Sequence, residues 1–281
     1  MKPSFPPVGL VFLSIVSTQL GSAIAKSLFE QLNPVAVVCL RVGFAALVLM
    51  LLWRPHWRQV DRSTYPALIG FGLALALMNL TFYWAIERVP IGIAVTLEFI
   101  GPLGVAVFNS RRWLDVVWVV LAGLGIVLLA PIGNTELDPL GIAMALIAGG
   151  FWAAYILLSV KVGQALSGGS GLAFAMTIGA IVLIPIGLAA GNLSLLTPNL
   201  LLIGFGVALL SSALPYSFEL EALRWLPVQT FGVLLSLEPV AAAVVGFVIL
   251  HETLSLRAMI AIMLVTIAAA GAAKYGHREI E

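Results

Sequence analysis

Apolar runs of about twenty residues follow one another along this chain, parted only by brief clusters of charge, proline and glycine. A helix rises about 1.5 Å per residue, so about 20 such residues cross a hydrocarbon core about 30 Å thick. Backbone in lipid must satisfy its own hydrogen bonds, and a run of this length does so as a helix. Taking charges, prolines and polar clusters as boundaries gives ten spans, at roughly 8–29, 34–53, 66–87, 91–109, 114–131, 139–160, 170–190, 199–223, 228–250 and 255–273. The expected fold is therefore all-α and polytopic. Only 10% of the 281 residues are charged, against about 25% in soluble domains, and no polar stretch is long enough to build one. The first run passes the small residues Gly21, Ser22 and Ala23 and continues through Lys26, so it reads as a span and not as a cleaved secretory signal.

Charge then sets orientation and removes several functions. The net charge is +1 and no basic block is long enough to follow phosphates, which argues against a nucleic-acid partner. The single cysteine, Cys39, lies in an apolar span, so neither a disulfide nor a cysteine-based metal site is expected. With the N-terminus inside, the cytoplasmic face receives Lys2, Arg54, Arg58, Arg62, Arg111, Arg112, Lys161, Arg224, Lys274 and Arg278, whereas the outer face receives Arg88 and Arg257. By the positive-inside rule both termini are cytoplasmic, and "NTELDP", with Glu136 and Asp138, faces out.

An internal repeat divides the chain. "LIGFG" occurs at 68–72 and again at 202–206, 134 residues on. Pro90 and Pro227, Pro102 and Pro239, and the acidic Asp115 and Glu252 share an offset of 137, which one three-residue insertion reconciles. Two five-helix halves follow, 1–137 and 138–281. Because five is odd, equivalent helices cross in opposite directions. That inverted repeat is the architecture of secondary transporters whose site lies near the midplane between the halves.

Charged groups inside the spans are the strongest functional signal, since a charge at the bilayer centre costs about 2.5 kcal/mol or more and usually faces a cavity or a partner. Arg41 and Glu98 each lie seven residues from the outer start of a span, about 10 Å deep, where a charge pair is geometrically open to them. Lys26, nearer the outer end of its span, can snorkel or bond Glu30 one turn away. Glu238 lies near the midplane without an obvious basic partner and is the stronger candidate for proton coupling, with Glu98 the second. Glu238 immediately precedes Pro239, while Glu98 precedes Pro102 by four residues, so the two are not repeat equivalents. Glu219 and Glu221, beside Arg224, read as a solvated rim.

Polar groups at depth fill in a central cavity: Gln19, Asn79, Tyr83, Trp152, Tyr155, Ser212, Tyr216 and Ser236 are its expected substrate-facing side chains, together with Lys26 and Glu98. Pro102, Pro215 and Pro239 each free a backbone carbonyl within a helix, which a cavity can use.

At these residues the chain resembles a known family. "IGIAVTLEFIGPL", "NSRRWLDVVWVVLA", "AKSLF" at 25–29, "ALPYSFELEAL" at 213–223 and "LSLEP" at 235–239 are similar to segments of bacterial threonine/homoserine exporters, within the EamA-type branch of the drug/metabolite transporter superfamily. The resemblance runs from the first span to the tenth. It implies ten helices in two inverted repeats, a cavity lined by helices one, three, four, six, eight and nine, and efflux of small amino acids from a bacterial inner membrane without a nucleotide. Carried over by motif, it marks the segments around Lys26, Glu98, Tyr216 and Glu238. Relatives exporting aromatic amino acids carry extra aromatics before the proline of helix four; here Phe99 is followed by Ile100 and Gly101, which favours a smaller or more polar substrate.

Other classes fit less well. His56, His251 and His277 all fall in loops or the tail, so a membrane-embedded Ser-His dyad or metal centre has no histidine, and no enzyme, metal or other cofactor is expected. The fragments "GFG" and "GLG" do not extend to a phosphate loop. A passive channel, a receptor, or an exporter of aromatic amino acids, nucleosides or cations remain the rival readings; the sequence points to no protein partner. The expectation is a secondary exporter of small amino acids in contact with lipid, exchanging substrate for protons as the two repeats rock.

Overall fold

The computed structural model describes residues 5–28, 31–89, 91–110, 112–129, 138–190, 197–241, 244 and 255–275, apart from the side chains of 23, 26, 27, 59, 91, 92 and 129. Among the described residues the chain is helical throughout and has no strand. In order it forms α1 (Pro7–Leu28), α2 (Pro34–Trp53), α3 (Tyr65–Ile86), α4 (Ile91–Glu98), α5 (Ile100–Phe108), α6 (Trp113–Leu129) and α7 (Pro139–Ala165). It continues with α8 (Ser170–Ala189), α9 (Pro198–Ala208), a π turn (Leu209–Ala213), α10 (Leu214–Ala222), α11 (Val228–Leu235) and α12 (Leu256–Tyr275). Residues 237–241 resume the helix after α11. Pro90, Glu136, His251, Glu252 and His277 lie outside the described residues.

Among the described residues, six helical stretches are long and apolar enough to cross a membrane: Pro34–Trp53, Arg62–Ile86, Pro139–Ala165, Ser170–Ala189, Pro198–Ala222 and Leu256–Tyr275. Four shorter apolar helices accompany them, at Pro7–Ser22, Ile93–Phe108, Trp113–Leu128 and Val228–Ala241. Three of the starts share one local device. Asn33, Asp138 and Thr197 sit in extended backbone and accept from Ala36 N (2.7 Å), Leu140 N (2.9 Å) and Leu200 N (3.3 Å), each followed by a proline at the first helical position. A capping oxygen satisfies an orphan N–H, and proline there gives up a donor that had no partner.

Large apolar side chains also coat the outside. Phe12, Val16 and Leu20 on α1, Leu47 and Leu51 on α2, Val120, Leu124 and Val127 on α6, and Met263 and Ile267 on α12 are exposed at one-turn spacing. Stripes of that kind suit a surface meeting lipid and not water. Inside, α3 packs on α7 and α8, α2 on α8 and α9, α1 on α9 and α10, α5 on α7 and α11, and α6 on α12.

The helices depart from the apolar runs in four places, three of them interruptions. The fourth run breaks into α4 and α5 at Phe99, the eighth passes through the π turn, and the sixth continues to Ala165, beyond its expected end at 160. The ninth breaks at Ser236 and is described to 241 and at 244. All three interruptions border the polar side chains described next.

Candidate functional site

The breaks follow from proline chemistry. Pro102 has no N–H, so the Glu98 carbonyl, four residues earlier, loses its helical donor. The chain turns at Phe99, and Leu103 N returns to Phe99 O at 3.1 Å. Two glycines press this break onto α7. A Cβ on Gly149 would lie 2.7 Å from the Glu98 carbonyl oxygen, and one on Gly101 would overlap the Gly149 carbonyl. Small residues at such a crossing let two backbones approach closely. The ninth run repeats the device: Pro239 deprives the Leu235 carbonyl, the chain turns at Ser236, and the Ser236 hydroxyl donates to Val233 O at 2.5 Å. Phe99 and Ser236 are 137 residues apart, the offset of the repeated prolines.

The π turn precedes Pro215, which likewise cannot donate within its helix. Ser17 of α1 donates to the Leu210 carbonyl there at 2.7 Å. The hydroxyls of Ser211 and Ser212 on the same turn are buried and have no hydrogen-bond partner.

Around these irregular segments the intramembrane charges converge. The Arg41 guanidinium on α2 donates through Nη2 to Asn79 Oδ1 on α3 and lies over the Tyr83 ring, 5.8 Å from its centroid. Asn79 Nδ2 holds the Leu75 carbonyl at 2.8 Å, which fixes the amide so that its oxygen faces Arg41. Tyr216 of α10 reaches both Arg41 and Asn79. Glu98 is buried, and it lies within Coulombic reach of Arg41 and of Glu238, which in turn feels Arg41 and Glu219. The ion pairs within 4 Å among the described residues are Arg88–Asp138 at 3.7 Å and Arg224–Glu221 at 2.7 Å, so Arg41 and Glu98 are neighbours without a direct bridge. Gln19 of α1 donates to the Glu238 carbonyl at 3.3 Å, and Trp152 meets Phe99 edge to face at 4.8 Å.

Glu219 corrects the expected rim. Its side chain is buried, accepting from Ser14 of α1 at 2.7 Å and from the Tyr155 hydroxyl of α7 at 2.8 Å. Tyr155 is itself fully buried between Phe71 and Tyr216, with ring centroids 5.5 Å away on each side. The cause is the face it occupies: α10 presents Glu219 to α1 and α7, whose donors Ser14 and Tyr155 lie within their expected spans. Arg224 donates to the Leu166 and Gly168 carbonyls at 3.0 and 2.6 Å while pairing with Glu221, and Trp53 packs on Gly168, whose φ is +57°. Glu221 keeps the rim role, bonded to Arg224 and to Trp225 Nε1 at 3.1 Å. Beside it a crevice of about 290 Å³ lies between Phe5, Leu10, Trp53, Gly169, Leu220 and Glu221.

Of the side chains singled out from sequence, Arg41, Asn79, Tyr83, Glu98, Tyr216 and Glu238 thus form one electrostatic neighbourhood, with Trp152, Tyr155 and Gln19 at its edges. Ser236 is turned to its own backbone, and the Lys26 side chain lies outside the described residues. Ser14 and Ser17 were not singled out, and Glu219 was assigned to the rim. A signal for the two serines existed: Ser14, Ser17 and Gly21 recur at the spacing of one helix face, and all three meet the eighth run. Among the described residues no group of three or more His, Cys, Asp or Glu side chains is arranged to hold a metal ion.

Comparison with known proteins adds three findings. The model of the EamA-like transporter family matches twice, over residues 6–130 and 139–273. The threonine/homoserine exporter RhtA of Salmonella typhimurium LT2 is 40% identical over 99% of this chain and 94% of its own length, and RhtA of Escherichia coli K12 is 42% identical over 90% and 86%. A solved crystal structure superposes with a TM-score of 0.82 at 17% identity, covering 98% of this chain and 99% of that one, a likeness of fold alone.

Proposed function

Because the chain belongs to the EamA-like transporter family, whose members move solutes and are not enzymes, we propose that it is an inner-membrane secondary exporter of small amino acids of the threonine and homoserine kind. The convergence of Arg41, Glu98 and Glu238 at the broken helices of an apolar bundle carries this reading. Ionised groups are costly in lipid, and placing them beside freed carbonyls and the polar faces of Asn79, Tyr83 and Tyr216 builds a site for a small polar solute. The ammonium of the substrate binds on the Glu98 and Glu238 side. The same carboxylates exchange it for protons, Glu238 foremost.

In this reading the chain forms ten spans in two inverted five-helix repeats, 1–137 and 138–281. Two tandem family matches support that division. So does the packing. The contact of α3 with α7 has its counterpart in α10 with α1, that of α3 with α8 in α9 with α2, and that of the fourth span with the fifth, through α5 and α6, in the ninth with the tenth, through α11 and α12. Helices α2 with α8 and α6 with α12 pack against their own counterparts, and the broken fourth and ninth spans meet through α5 and α11, an arrangement consistent with a two-fold relation between the halves. Both termini and the α7–α8 turn face the cytoplasm, where the crevice beside Glu221 is the entrance. Alternate rocking of the repeats then exposes the site to either side.

Counterflow in proteoliposomes with labelled amino acids, nucleosides and cationic drugs tests the assignment. Saturable exchange of threonine or homoserine is the expected result. Saturable exchange of a nucleoside or cation alone refutes the substrate, and non-saturable flux refutes the carrier mechanism.

A further inference from the structure

Arg41 is a permanent cation deep in the bundle, and its contacts leave it incomplete. One end of the guanidinium bonds the neutral Asn79 oxygen and its face covers Tyr83, yet its Nε is buried and has no partner. No carboxylate stands within 4 Å of it among the described residues, although Glu98 and Glu238 are near enough to feel it. A guanidinium presents its N–H groups in a planar fork matched to a carboxylate, and leaving a buried donor of a charged group unmet is costly. Ser212 lies on the π turn, which packs against α2, the helix that carries Arg41. It stands four residues before Tyr216, the side chain that reaches Arg41. The Ser212 hydroxyl is fully buried and also has no partner.

We infer that Arg41 Nε and the Ser212 hydroxyl are the carboxylate subsite for an α-amino acid, held by the Asn79 and Tyr83 contacts in a fixed aim. This rests on the proposed amino-acid export and goes beyond it by orienting the substrate. The zwitterion's carboxylate lies on Arg41, with its ammonium toward Glu98 and Glu238. The arrangement explains why Arg41 and Glu98 stop short of a direct bridge: the substrate completes the ion pairs. It also selects against amines and amides, which would leave Nε without an anion in a low-dielectric site.

The test is counterflow with threonine and with threonine amide, which keeps the ammonium and hydroxyl and lacks the carboxylate charge. The wild-type protein is expected to prefer threonine by about 10- to 100-fold, the range of a hydrogen bond to a charged group. Arg41→Gln collapses that preference toward unity, Arg41→Lys keeps part of it because a point charge replaces the fork, and Ser212→Ala lowers it several-fold. An undiminished preference in folded Arg41→Gln overturns the inference. Should Arg41→Gln fail to fold, Ser212→Ala decides, and a preference equal to wild type overturns it. Failure of the wild-type protein to exchange any amino acid is the separate outcome that removes the export reading itself.

Discussion

Removing one hydroxyl from the core gives a sharp test of the Glu219 contact. Tyr155→Phe keeps the ring between Phe71 and Tyr216, so the aromatic packing at 5.5 Å on each side survives and only the 2.8 Å bond to Glu219 is lost. A hydrogen bond to a charged group contributes about 1.5–3 kcal/mol, and that is the expected loss. Ser14→Ala removes the other donor, at 2.7 Å, and should cost a similar amount. The two losses are not independent. With either donor present Glu219 keeps one partner, whereas the double variant leaves a carboxylate bare in the interior. The cycle should therefore show a coupling of about 0.5–3 kcal/mol beyond additivity. Adding Glu219→Leu to the double variant removes the stranded acceptor and should recover most of the stability, as when a buried polar group is replaced by an apolar one of similar size. Reversible unfolding of purified protein in mixed micelles, followed by far-UV circular dichroism as sodium dodecyl sulfate is titrated in, measures each term. Single variants within about 0.5 kcal/mol of wild type, or strict additivity, would return Glu219 to a solvated rim and refute the reasoning.

Three other perturbations probe separate parts of the bundle. Gly101→Val places branched carbon where the Gly149 backbone already sits, and should destabilise by about 1–3 kcal/mol or more, read in the same unfolding assay, with Gly104→Val, whose Cβ meets nothing within 4 Å, as the mild control. Arg224→Ala deletes two bonds to the turn at 166–169, so hydrogen exchange of amides in and around that turn should rise about tenfold while that of α3 stays unchanged. Cys39 is buried with its thiol donating to Leu183 O at 3.0 Å, and a water-soluble maleimide should label it only after denaturation. Rapid labelling of the folded protein would contradict its placement.

Much of this was legible in sequence because lipid enforces a simple code. Apolar runs bounded by Asn33-Pro34, Asp138-Pro139 and Thr197-Pro198 announce helices whose starts the structure places at those prolines. Pro102 and Pro239 forecast the breaks at Phe99 and Ser236, since a missing N–H acts on the carbonyl four residues earlier whatever surrounds it. Glu219 was misread because nearness to a span's end does not say which way a side chain faces. Here Glu219 is met by Ser14 and Tyr155, contacts across 205 and 64 residues that no local pattern encodes. The partner of Arg41 was equally hidden. Equal depth made Glu98 the natural choice, while rotation about the helix axes, set by packing, delivers Asn79 instead.

The central claim is that the buried carboxylates couple substrate to protons at one shared site. Threonine accumulation in proteoliposomes under an imposed pH gradient, compared between wild type, Glu238→Gln and Glu98→Gln, tests it most directly. The account predicts uphill uptake by the wild-type protein, and binding without gradient-driven accumulation in Glu238→Gln. Full accumulation in both variants would contradict it.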